Sequence, residues 1–152
     1  MDELTFGKFG VTVNVPKSKT DQECAGRKVG LPFGAHKETC PVRALRAWLT
    51  AAGLKEGAVF RKVNRHGQVA KGGLYRDSIG TILKRAAKRA LMKSGPLAGH
   101  SLRSGMITQA AMNGVSEFVI MKQSGHRTVA SLKRYVRLGR IFTENAAASL
   151  GI

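Results

Sequence analysis

The stretch Gln123-SGHRTVASLKR-Tyr135 sets the reading of the whole chain. Gly125 follows a helical pattern and can end it, and Thr128 can cap the start of the next, "TVASLKRYV". Two helices joined by a tight turn are therefore predicted, with Leu132 turned inward and Arg127, Lys133 and Arg134 facing phosphate or water. Two residues are left over: His126, directly after the Ser-Gly pair, and Tyr135, one of the two tyrosines, nine positions on.

Working outward, helical patterning continues on the N-terminal side. "SEFVIMKQSG" starts at Ser116, a capping residue, and stops at Gly125, while "SLRSGMITQAAMNG" runs through Leu102, Met106 and Ala110 and stops at Gly114. "RDSIGTILKRAAKRALMKSG" carries Ile79, Ile82, Leu83, Ala86 and Ala90 at helical spacing, with Lys84, Arg85, Lys88 and Arg89 on its other side. "CPVRALRAWLTAAG" places Pro41 in a first turn and Gly53 past the end, with Val42, Leu45, Trp48 and Leu49 on one inward face. The segment between these two helices, "EGAVFRKVNRHGQVAKGGLY", is glycine-rich and reads as a loop.

Only the first part of the chain breaks the helical pattern. Val11, Val13 and Val15 alternate with Thr12 and Asn14, the period of a half-buried strand, and "GRKVGLP" reads as a second strand. The polar link between them puts Lys17 at or near a hairpin tip. The predicted fold is α+β and mainly helical: a small antiparallel β-hairpin at about residues 9–31 packed beside about five to six helices over residues 41–150. At 152 residues with 43 % hydrophobic content, residues 1–152 form a single expected domain.

Charge narrows the partners. Lysine and arginine number 26 against 9 acids, a net charge of +17, and such an imbalance opposes compaction unless a partner supplies negative charge. Duplex DNA is the first candidate, and phosphate contacts are assigned to the basic side chains above. A membrane surface is disfavoured, because the basic residues are spread along the chain rather than gathered on one amphipathic helix. No run of about 18 apolar residues and no signal-peptide pattern is seen, so a cytoplasmic protein associated with the nucleoid is expected. Cys24 and Cys40 have neither zinc-site spacing nor a disulfide pattern, and no cofactor or metal is expected. The tail "IFTENAAASLGI", residues 141–152, carries a single charge, Glu144, and reads as an apolar helix that must bury against its own body or a neighbouring subunit.

His100 and Arg103 in "GHSLRSG" are spaced i, i+3, which puts both on one side of a helical first turn, where they can converge on one anion. Alone, this pair reads first as a capping histidine and a solvated arginine, which is far commoner than an anion site. Its order with Gly125-His126 and Tyr135, all within 36 residues and separated by helix stops, resembles the tyrosine recombinase (phage integrase) family, whose pattern is HxxR, a later Gly-His and a tyrosine nine residues beyond. The strand and turn "VTVNVPKSKTDQ" is similar to the segment carrying that family's catalytic lysine, which Lys19 would match. "TCPVRALRAWL" is similar to the helix that often follows, so the likeness runs from about Val11 to Tyr135.

The resemblance implies metal-independent transesterification of DNA: Tyr135 as nucleophile forming a 3′-phosphotyrosine link, Arg103, His100 and His126 around the phosphate, and Lys19 as general acid. It also implies four protomers acting in pairs on DNA, with residues 141–152 exchanged between neighbours. The residue types suit this chemistry. A tyrosine hydroxyl with a pKa of about 10 is a poor nucleophile without a base or cations beside it. A planar guanidinium matches the nonbridging oxygens of a phosphodiester, whose charge grows during attack. One departure stands out: the family has a further catalytic arginine ahead of the hairpin, and no arginine precedes Lys8. An N-terminally truncated catalytic domain, weakly active or inactive alone, is therefore expected. A non-catalytic DNA-binding remnant, a type IB topoisomerase and a basic ribosomal protein stay open as alternatives.

Overall fold

The computed structural model describes residues 1–16, 26–93, 95–140 and 146–150. Lys17 and Lys19, with Cys24 and most of the 141–152 tail, therefore lie outside the described residues. The fold is α+β and mainly helical. The chain divides into two compact units, Met1–Leu74 and Tyr75–Ile152.

In the first unit, β1 (Leu4–Gly7), β2 (Gly10–Val15) and β3 (Arg27–Pro32) form an antiparallel sheet in that order. The alternating valines pair as expected, Val11 with Leu31 and Val13 with Val29. The sequence reading missed β1, whose four residues are too few to show a period. Its turn depends on Gly10, at φ 153°, where a Cβ would collide with the Leu31 carbonyl oxygen. Helix α1 (Pro41–Ala51) begins at the expected proline and buries Val42 completely, together with Val11 and Cys40. Phe6, Phe33, Leu31 and Leu45 pack around them, and the Arg46 guanidinium covers the Phe6 ring at 4.9 Å. Half-buried Trp48 donates its indole N–H to Val59 O at 2.7 Å.

The glycine-rich segment is not a loop. It holds a second antiparallel pair, β4 (Arg61–Val63) and β5 (Val69–Gly73), joined by a turn in which the Asn64 side chain accepts from both His66 N and Gln68 N. Gly67, at φ 80°, completes that turn. Short strands full of glycine and cations hide the period-2 signal, and the asparagine is what closes them.

The second unit contains α2 (Ser78–Arg89), α3 (Gly99–Met112), α4 (Glu117–Ser124) and α5 (Val129–Gly139), with a 3₁₀ turn at Ala146–Leu150. The stops fall where expected: Gly114 and Gly125 both adopt positive φ, 76° and 73°. Thr128 caps α5 by accepting Ser131 N–H at 3.3 Å, whereas Ser116 occupies the cap of α4 without a side-chain bond. The core is Ile107, Ala111, Ile120, Leu132 and Val136.

Two inward faces differ from the sequence reading. In α3 the buried residues are Ile107 and Ala111, while Leu102 and Met106 are exposed and Ala110 is half-buried at the edge. In α2 only Ala87 is buried, Leu83 is half-buried, and Ile79, Ile82, Ala86 and Ala90 are exposed. Helices with apolar residues on more than one side leave their orientation to the packing partner, and α3 is turned by its contact with α5.

Candidate active site

Helix α3 is packed on α5 closely enough that no side chain fits between them at Gly139. A Cβ there would lie 2.7 Å from Thr108 O and 2.9 Å from the Ala111 Cβ. Tyr135 stands one turn before Gly139, half-buried against the core, and its ring is therefore set by the same contact. Sequence reading missed Gly139, because a helical glycine carries no local signal of close approach.

The first turn of α3 supplies the other groups. Ser101 Oγ accepts the Ala98 N–H at 3.0 Å, which holds the helix start, and His100 and Arg103 project from it to solvent. His100 Nε2 lies 3.0 Å from Tyr135 Oη, with the ring centroids 6.3 Å apart. His126 follows Gly125 and brings its ring to 6.5 Å from the tyrosine ring, so Tyr135 sits between two imidazoles contributed by separate segments. Burial, and then the charge of Arg103 and the neighbouring His100 ring, hold the His126 pKa below its usual value. His126 is thus close enough to Arg103 to feel its charge, and four of the five sequence-predicted catalytic residues gather in one place. Lys19 lies outside the described residues.

An open groove of about 540 Å³ leads from His100 and Arg103 along α2, and Arg76 and Lys84 line it. Lys84 thus joins the site's electropositive surroundings. Arg85, Lys88 and Arg89 are exposed on the rest of α2, and Arg127, Lys133 and Arg134 are exposed around α5. Arg134 shares a second open groove with Tyr135. No group of three His, Cys, Asp or Glu side chains able to hold a metal occurs among the described residues. No helix among them is long and apolar enough to cross a membrane.

A tyrosine hydroxyl in contact with an imidazole, with an arginine and a second histidine close by, brings together the ordered set on which the resemblance to tyrosine recombinases rests. The chain belongs to the phage integrase family, whose sequence profile matches residues 5–140. It is similar to the "Integrase/recombinase xerD homolog" of Selenomonas ruminantium, with 34 % identity over 145 residues, 95 % of this chain. The chain spans 42 % of the length of that relative.

Proposed function

We propose that this chain is the catalytic portion of a site-specific DNA recombinase that cuts and rejoins duplex DNA through a 3′-phosphotyrosine intermediate. The observation that carries the proposal is the 3.0 Å contact between His100 Nε2 and Tyr135 Oη, in a chain of this family. His100 takes the tyrosine proton, and Tyr135 Oη attacks the scissile phosphorus. Arg103 neutralises the nonbridging oxygens as their charge grows, with His126 as a further donor. The bond to the 5′ oxygen breaks, and Lys19 hands that oxygen a proton. A 5′ hydroxyl from a second strand reverses the steps, so the phosphodiester energy is conserved in the tyrosyl ester. Arginine and histidine donors stabilise the phosphate charge in this scheme, which routes no step through a metal.

The 152 residues act as a single catalytic domain, and the full reaction uses a homotetramer on DNA in which residues 141–152 dock on a neighbouring protomer. Because the chain spans 42 % of the relative it matches, the test offers a nicked duplex that traps cleavage both to the chain alone and to a chimera joining it to a family N-terminal half. A covalent protein–DNA adduct in the chimera, lost in Tyr135→Phe, supports the reading. No adduct in either form moves the chain to a non-catalytic DNA-binding role, and site-independent relaxation of supercoiled plasmid moves it to topoisomerase chemistry.

A further inference from the structure

Among the described residues one polar side chain is buried, Ser124, at 3 % exposure, and it is bonded to a residue of the site. Its Oγ lies 2.7 Å from His126 Nδ1. The same oxygen is 3.5 Å from Met121 O, a carbonyl that already accepts Gly125 N–H at 2.7 Å. A hydroxyl has one hydrogen to give. At 3.5 Å the carbonyl contact is at the limit of a hydrogen bond, so the hydrogen goes to the imidazole nitrogen.

We propose that Ser124 is a positioning residue: by donating to Nδ1 it fixes His126 as the Nε2–H tautomer and makes it a hydrogen-bond donor to the scissile phosphate. The functional half of this inference rests on the transesterification reading above; the tautomer does not. The consequence is a division of labour between two histidines that flank one tyrosine. His100, with Nε2 at the Tyr135 hydroxyl, is the proton acceptor. His126 cannot compete for that proton, because its one lone pair is occupied by Ser124 and its other nitrogen already carries hydrogen. The surroundings act in the same direction: burial, and then the Arg103 guanidinium on α3, disfavour a second proton on His126, next to which Arg127 follows in the chain.

The test is long-range ¹⁵N–¹H correlation of the histidine side chains in the 152-residue chain, through a pH titration. His126 is expected to show a protonated Nε2 and an acceptor Nδ1. Ser124→Ala is expected to lose that preference and to show a mixture of the two tautomers, since no donor then meets Nδ1. Ser124→Thr, which keeps the hydroxyl, is expected to restore the single tautomer. A protonated Nδ1 in the parent chain overturns the inference, as does an unchanged tautomer in Ser124→Ala. Should Ser124→Ala fail to fold, the tautomer of the parent chain still decides. The expected tautomer in a protein that forms no DNA adduct would remove the recombinase reading and leave the Ser124–His126 bond standing. An adduct formed with the other tautomer would do the reverse.

Discussion

Tyr135 Oη and His100 Nε2 are 3.0 Å apart although 35 residues separate them in sequence, and the contact is made by two helices that touch backbone to side chain at Gly139. The proposed nucleophile and its proposed base are thus positioned by helix packing and not by a loop. Gly139→Ala should show this. The added methyl meets Thr108 O and Ala111 Cβ, which forces α5 away from α3. Overpacking of this kind costs about 1–3 kcal/mol, and thermal or urea unfolding should register it. Cleavage should fall further than the stability loss explains, because Tyr135 and His100 move apart. A variant with unchanged unfolding would show that the helices are not held this closely.

Arg103→Ala removes the planar donor that the proposed reaction sets against the phosphate. Loss of one preorganised charge-stabilising donor costs on the order of 10²–10³ in rate, and that is the expected fall in cleavage, with DNA affinity nearly unchanged because many other cations remain. Measuring cleavage rate and equilibrium binding on the same variant separates the two. A matching collapse of binding would make Arg103 a docking residue instead.

His100→Ala should reduce cleavage by roughly 10²–10⁴, the usual span for loss of a general acid or base. Raising the pH should recover part of that loss, because hydroxide in solution then competes for the tyrosine proton. An activity that stays flat with pH in the variant would argue that His100 only orients Tyr135.

Burial, and then the Arg103 charge and the adjacent His100 ring, hold the folded pKa of His126 below the unfolded value of 6.5. As pH falls below about 6.5 the unfolded chain binds this proton first, so His126 subtracts stability on the acid side and has no effect well above that pH. Urea midpoints should therefore fall more steeply with acidification in the parent chain than in His126→Gln. Equal slopes in the two chains would show that the histidine is not desolvated.

DNA affinity should depend strongly on salt. If about six phosphates are neutralised by the basic faces of α2 and α5, the log–log slope of affinity against salt is expected near −5. Alanine at Lys84, Arg85, Lys88 and Arg89 should each reduce that slope by roughly one where the side chain meets a phosphate. A slope near zero would remove these faces from the interface.

The elements that were legible in the sequence are those whose signal is local. Pro41, Thr128 and the glycines at 114 and 125 mark helix ends through their own backbone or side-chain chemistry, and the structure places them there. His100, Arg103, His126 and Tyr135 were legible as an ordered set of residue types, each weak by itself. What was hidden depends on partners distant in the chain. The buried face of α3 is chosen by α5, Gly139 matters because of Thr108, and Ser124 matters because its oxygen meets an imidazole two residues on. The β4–β5 hairpin was hidden for a different reason: its strands are short and its closure rests on one asparagine side chain.

The most direct measurement is to trap the protein on a nicked duplex, digest the adduct and locate the attached nucleotide by mass spectrometry. The DNA 3′ phosphate is expected on the peptide containing Tyr135, with no adduct from Tyr135→Phe. Attachment at any other residue, or an adduct that survives Tyr135→Phe, would contradict Tyr135 as the nucleophile.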